Sequence, residues 1–371
     1  MKFPTRNAFS DTEIAAIYEC IDYYKEKGLD PGYQSIFEKR YIDAFCQYMG
    51  GGYADAVATG TAALYVAIAA LNLPAGSDIL VSPITDPGTL SAIILQYRLT
   101  PRLMDSKPNS YNIGTEQFLS RITPFTRAVV IVHSIGYPVT DIQEIVKEAH
   151  ARDIHVIEDC SQSHGARVNG HPVGSFGDVA AFSTMYRKAH IAGSSGGVVY
   201  TRDRELYRLA LAHADRGKPS WNEDFNDRDP RQFLFPALNL HTDEISCAIG
   251  IASLARLNDT ILRRLVFIAE LAGRLDNPYE YSPNMSPFVY PIIAKREIAD
   301  ALLNKSIPLN PHYQYVVSEW PWIQKYLSDK FDTPNARDIR DRTFCLYLNE
   351  NYGLKEAAFI STSLNQLIAC Q

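Results

Sequence analysis

The sequence predicts an α/β protein: a three-layer α/β/α large domain around a mostly parallel sheet, followed by a smaller α+β domain. Three observations carry this. Between about residues 54 and 200, short β-rich runs alternate with helical ones. Within that stretch, RAVVIVH (127–133), a helical segment and IHVIEDC (154–160) form a strand–helix–strand unit, which requires a parallel sheet covered on both faces. The length, 371 residues, suits one large domain and one smaller one. The division is expected at 1–250 for the large domain, with an N-terminal helix or arm, and 251–371 for the small one.

The elements follow in order. GTAALYVAIAAL begins a helix at Gly60 and leads into the strand DILVSP. A helical stretch, GTLSAIILQY, and a short run, RLMD, precede the 127–133 strand. Asp141, with Glu144 three residues on, has the pattern of a capping box for DIQEIVKEAHARD. DVAAFST and GGVVYT read as strands on either side of Lys188. Residues 216–235 are polar, aperiodic and rich in Asp, Asn, Arg and Pro, the composition of a long loop. One long helix is expected over 242–275. FVYPII, a helix from about Lys295 and a terminal helix complete the chain.

Composition narrows the function classes. Hydrophobic residues make up 46% and charged residues 21%, with a net charge of −6, which suits a soluble enzyme and not a nucleic-acid binder. The six cysteines are scattered without a CxxC or a close Cys/His pair, so a reducing cytoplasm is expected and a zinc site is not. The first 20 residues hold no apolar run of the signal-peptide kind. TAALYVAIAALNL is too short to span a bilayer and reads as a buried helix.

Three points near strand ends could do chemistry, where ligands gather in open α/β sheets. In TGTAAL (59–64), Thr59, Gly60 and Thr61 stand at a helix start, which is either a phosphate site or a plain cap. In IEDCSQSHG (157–165), Asp159 ends a strand. It is either a turn aspartate or a carboxylate that holds a proton on a heterocyclic nitrogen. Lys188 is either a solvated charge or a reactive amine. An anion site, a carboxylate and an amine are the three things that pyridoxal phosphate requires.

On these residues the chain resembles the DegT/StrS-type sugar aminotransferases of the fold-type-I pyridoxal-phosphate enzymes. YADAVATGTAAL, VIVHSIGYPVTDIQEI, IHVIEDCSQSHGARVNGHPVGSFGDVAAFS, FSTMYRK and LNLHTDEISCAIG run in the family's order. The resemblance implies that Lys188 forms the internal aldimine and later shuttles a proton, and that Asp159 pairs with the pyridinium nitrogen. It places Gln162 against the ring, and Gly60, Thr61 and Ser183 on the phosphate. Asn239 would reach the phosphate of a partner subunit in a homodimer with shared active sites. The family further implies pyridoxal 5'-phosphate, a donor such as L-glutamate and a keto-sugar acceptor, usually nucleotide-linked, in amino-sugar and surface-polysaccharide biosynthesis. Neither a metal, a nucleic acid nor a membrane partner is implied.

The chain departs from the family at several places. Asp86 stands where an aromatic usually stacks on the cofactor, so a carboxylate would line that part of the site. Tyr186 and Arg187 precede the lysine, and Ala189 and His190 follow it. His241 replaces an arginine. His312 and Tyr313, in NKSIPLNPHYQ, stand either for the family's substrate-facing pair or for an ordinary surface turn. Some relatives carry histidine in place of the lysine and dehydrate a pyridoxamine-bound sugar. That reaction, and a non-catalytic regulatory role, are the alternatives.

Overall fold

The structure is a computed structural model that describes residues 1–6, 9–96, 98–295, 297–310 and 315–369. Two helices, α1 (Asp11–Lys27) and α2 (Ile36–Tyr48), lead to a region of alternating elements. These are β1 (Tyr53–Val57), α3 (Gly60–Ala70), β2 (Asp78–Val81), α4 (Pro87–Ile94), β3 (Thr100–Leu103), α5 (Thr115–Leu119), β4 (Thr126–Val132), α6 (Ile142–His150) and β5 (His155–Asp159). A short hairpin, β6 (Arg167–Val168) and β7 (His171–Pro172), precedes β8 (Val179–Ser183), β9 (Gly197–Thr201) and α7 (Arg204–Ala214). Among the described residues the main sheet has seven strands in the order β1-β9-β8-β5-β4-β2-β3. Strands β3, β2, β4, β5 and β8 are mutually parallel, and β9 runs antiparallel between β8 and β1.

Burial on both faces explains why the strands read as near-continuous apolar runs. Successive residues of β4 alternate between two cores. Val129 and Ile131 pack with Phe37, Tyr41, Phe45 and Ile145, whereas Ala128, Val130 and Val132 pack with Val66, Ile68 and Leu90. Helices α2, α5 and α6 therefore cover one face, and α3, α4 and α7 the other. Helix α3 is apolar nearly all round because it lies within the second core, as its Ala-rich sequence requires.

The long helix expected over 242–275 is two helices, α8 (Glu244–Ala255) and α9 (Leu257–Ala272), bent by 53°. At the break, Arg256 leaves helical geometry (φ −101°, ψ 4°) and its guanidinium pairs with the buried Glu13 at 2.5 Å. The bend lets α8 stay on the sheet while α9 carries Phe267, Ile268 and Leu271 into a third core. That core gathers around β10 (Val289–Ile293), α10 (Glu297–Asn304), β11 (Leu309–Asn310), β12 (Thr343–Tyr347) and α12 (Leu354–Ala369), whereas α11 (Pro334–Asp341) packs Ala336 and Ile339 into a smaller cluster with Ile84, Tyr111, Ile135 and Phe288. No single described helix is long and apolar enough to cross a membrane.

Asp141 does not cap α6 with its side chain. Its carboxylate is taken by Lys107 at 3.2 Å, a charged partner that outcompetes a backbone N–H, and Glu144 accepts from the Thr115 hydroxyl. Residues 216–235 are a long connection with one turn of 3-10 helix at Pro230–Gln232. Cys20, Cys160, Cys247 and Cys345 are buried free thiols and Cys46 is half-buried. Cys370 lies outside the described residues.

Candidate active site

A cavity of about 370 Å³ opens where β5 and β8 end and α3 begins. Gly60, Thr61, Asp86, Asp159, Gln162, Ser183 and Lys188 all line it. Seven of the residues singled out in the sequence are thus brought to one place.

The anion side is built by the turn from β1 into α3. The Thr59 hydroxyl caps α3 by accepting from Ala62 N at 2.9 Å. The first N–H groups of the helix, at Gly60 and Thr61, have no partner within the helix, and the helix dipole adds partial positive charge. A Cβ on Gly60 would lie 2.4 Å from Ser183 Cβ, so glycine alone lets the helix start approach the end of β8. The Ser183 hydroxyl reaches the same corner.

Asp159, the last residue of β5, is only 4% exposed. Ser161 N donates to one carboxylate oxygen at 3.1 Å, and Thr89 Oγ1 donates to the other at 3.1 Å. The Thr85 hydroxyl lies 2.8 Å behind Thr89, which extends a chain of hydroxyls to the carboxylate. Burial pushes the Asp159 carboxyl up, while the Ser161 and Thr89 bonds and the Lys188 charge pull it down. A cation placed against Asp159 would resolve that balance in favour of the carboxylate.

Lys188 is 6% exposed, in a turn closed by its own N–H to Met185 O at 2.9 Å. Its ammonium lies 4.6 Å from the centre of the Phe288 ring. Burial pulls its pKa from 10.5 to about 8, against the opposing charges of Asp159 and Asp86. A substantial fraction of the amine is therefore neutral near pH 7 to 8, which is the nucleophilic form. A carboxylate, a helix start and a desolvated amine on three sides of one cavity fit the ring nitrogen, phosphate and aldehyde of pyridoxal phosphate.

The remaining predicted residues divide. Gln162 lines the cavity with its amide oxygen held by Ile135 N at 2.7 Å. Asp86 stands at the exposed rim, where one oxygen accepts from Gly88 N at 2.8 Å and caps α4. Asn239 is exposed and lies outside the cavity of its own chain, its carbonyl turned to His241 N. His312 and Tyr313 lie outside the described residues. His190 does not face the cavity. It is fully buried between Tyr41 Oη at 2.6 Å and Ser253 Oγ at 3.3 Å, and burial pulls its ring down to about 3. His241 sits 3.0 Å from Asp215 and stacks on Tyr33 at 4.7 Å. Arg187 reaches the cavity, with its guanidinium 5.5 Å from the Tyr186 ring centre. Thr85, Thr89 and Phe288 were not singled out in the sequence. The hydroxyl pair four residues apart at a helix start was the signal for the first two, whereas nothing local marks Phe288.

An α/β/α sheet with this donor set at its strand ends has the architecture and chemistry of a pyridoxal-phosphate enzyme. The chain belongs to the DegT/DnrJ/EryC1/StrS aminotransferase family, whose sequence profile matches residues 33–365. Protein MosB of Rhizobium meliloti is 38% identical over 216 residues, 58% of this chain and 40% of that protein. GDP-perosamine synthase of Escherichia coli O157:H7 is 31% identical over 251 residues, 67% of this chain and 64% of the relative. The aligned stretch thus covers less than two thirds of either relative's length. Among solved structures, the E. coli GDP-4-keto-6-deoxy-D-mannose-3-dehydratase with bound hydrated PLP superposes with a TM-score of 0.87. It covers 98% of this chain and 99% of its own at 24% identity, which establishes the shared fold.

Proposed function

We propose that this protein is a pyridoxal-phosphate-dependent aminotransferase that moves an amino group from a donor such as L-glutamate to a nucleotide-linked keto-sugar. The observation that carries the proposal is the buried amine of Lys188 facing the same cavity as Asp159 and the Gly60–Thr61 helix start. Family membership and a GDP-perosamine synthase among the relatives support a nucleotide-sugar acceptor in amino-sugar or surface-polysaccharide synthesis.

Each residue then has a physical task. The Gly60 and Thr61 N–H groups and the Ser183 hydroxyl hold the phosphate. Asp159, whose ionised form Thr89 and Ser161 favour against burial, would hold the proton on the ring nitrogen, and that cation in turn would favour the carboxylate. Gln162 flanks the ring, tied by Ile135 N. The Lys188 amine would anchor the cofactor at its aldehyde carbon and, when released, would hold and move a proton at the substrate. When bound, the cofactor supplies an electron sink for the carbon that loses its proton. Asp86 presents a carboxylate at the rim in place of an aromatic face, so ring packing there falls to other groups. The exposed Asn239 supports a homodimer in which it reaches the phosphate of the partner's site. Residues 1–250 form the cofactor domain and 251–371 the small domain in this reading.

Retention of a lysine at position 188 supports transamination over dehydration. The test uses purified protein, pyridoxal phosphate, glutamate labelled with ¹⁵N and nucleotide-linked keto-sugars. Label in the sugar product is the expected result, with a visible absorption band that Lys188→Ala abolishes. A protein that stays colourless with the cofactor sinks the reading, and a deoxygenated product without label replaces it by dehydration.

A further inference from the structure

The N-terminal arm is fastened to one segment of the C-terminal region. The Phe3 ring meets Tyr352 and Phe359 edge-on at 5.6 and 6.0 Å. Asn349 Nδ2 donates to Pro4 O at 3.0 Å, and Asn351 Nδ2 donates to Thr5 O at 3.1 Å. Arg6 follows, with its side chain 6% exposed, and its Nε donates to Glu350 at 3.2 Å. The second oxygen of Glu350 accepts from the buried Arg264 at 3.0 Å. Against the cost of burial, Arg264 and Arg6 hold the Glu350 carboxyl down at about 2, so this ion pair persists at any working pH.

The two other nitrogens of Arg6 leave the arm altogether. One donates to Tyr186 O at 2.6 Å and the other to Lys188 O at 2.5 Å. The lysine segment between β8 and β9 has no helix or strand of its own. Its internal ties are turn bonds such as Ala192 N to Thr184 O at 2.8 Å. A planar guanidinium with charge-assisted bonds to two carbonyls restrains such a segment better than any neutral donor would.

We propose that Arg6 is a positioning residue for the cofactor lysine: anchored on Glu350, it clamps the carbonyls of Tyr186 and Lys188 and thereby aims the Lys188 amine into the cavity. The part concerning the cofactor rests on the function proposed above, whereas the clamp itself does not. Reaction of an amine with a bound aldehyde depends steeply on approach geometry, so a loosened lysine segment slows the step without changing the amine.

The experiment compares full-length wild type with Arg6→Ala and Arg6→Lys. In cofactor-free protein, hydrogen exchange of the amides at 186–193 accelerates in Arg6→Ala by about fivefold or more. On mixing with pyridoxal phosphate, the visible band forms about tenfold more slowly in Arg6→Ala. Arg6→Lys, which keeps the charge and can reach one carbonyl, recovers part of that rate. The KM for the amino donor stays within about twofold, since Arg6 does not line the cavity. Wild-type exchange at 186–193 together with a wild-type rate of band formation overturns the proposal, even where the melting temperature falls. If wild type itself gives no band, the cofactor reading has failed, and the exchange comparison alone decides for or against the clamp. Arg6→Lys carries the same comparison if Arg6→Ala does not fold.

Discussion

Thr89 Oγ1 donates to Asp159 Oδ2 across 3.1 Å, joining the first turn of α4 to the end of β5, 70 residues further along the chain. The bond helps to keep a carboxylate ionised where burial opposes ionisation. Thr89→Val keeps the shape, removes the donor and leaves the Thr85 hydroxyl without its acceptor. A hydrogen bond to a charged group contributes about 1.5–3 kcal/mol, so affinity for pyridoxal phosphate should fall by about tenfold or more. Thr89→Ser should stay near wild type. Titration of cofactor-free protein by absorbance measures this, and undiminished affinity in Thr89→Val shows that Asp159 needs no help from α4.

Lys188 gives a pH dependence with a definite sign. Its folded pKa, about 8, lies below the ordinary 10.5 because burial penalises the ammonium form. The neutral amine therefore increases as pH rises through 8, and capture of pyridoxal phosphate should accelerate by about tenfold per pH unit below 8 and level off above it. The same depression means that the fold is relieved of a buried charge, and gains stability, between about pH 8 and 10.5. Asp86→Asn removes one of the charges that favour the ammonium and should move the midpoint downward while still capping α4. Rapid mixing across pH 6 to 10, each value set by buffer at about constant ionic strength, gives the profile; a flat one contradicts the assignment.

A second titration lies away from the cofactor cavity. Glu38 is 4% exposed, beside the buried Asp55, and lines a cavity of about 280 Å³. Burial pushes its carboxyl to about 7, with the Glu244 and Asp215 charges adding to the rise and the Gln34 N–H and His241 opposing it. Because the folded pKa exceeds the unfolded value, the native state holds the proton longer. Stability is therefore lost as pH rises from about 4.5 through 7. Glu38→Gln keeps an acceptor for Gln34 N and removes the charge. It should be more stable than wild type by about 2 kcal/mol at pH 8, with the gap closing toward pH 5. Thermal melts across that range test it, and a gap independent of pH refutes it.

Much of the fold was legible because burial leaves a local trace. The apolar runs of β4 and β5 and the Ala-rich α3 are long enough to set their period and their surroundings. The break at Arg256 was not legible, since both flanking helices carry the same period and the bend answers to two cores and to the distant Glu13. Asp141 was misread for a related reason. Its spacing to Glu144 suits a cap, but Lys107, brought in by the fold, takes the carboxylate.

The sequence by itself determined the sheet, its helices and the three chemical groups at the strand ends: Gly60 with Thr61, Asp159 and Lys188. Those depend on residue type and on position within an element, and both are written locally. Only the tertiary structure decided how the groups behave. Phe288 beneath the ammonium, Thr89 on Asp159 and Arg6 on the Lys188 carbonyl come from remote segments, Arg6 from 182 residues away. It also separated two histidines that look alike in sequence as neighbours of the chemistry, turning His190 inward to Tyr41 and His241 toward Asp215. The physical reason is that a pKa and an aim are set by desolvation and by hydrogen bonds across the whole packed chain, and neither leaves a mark at the residue itself.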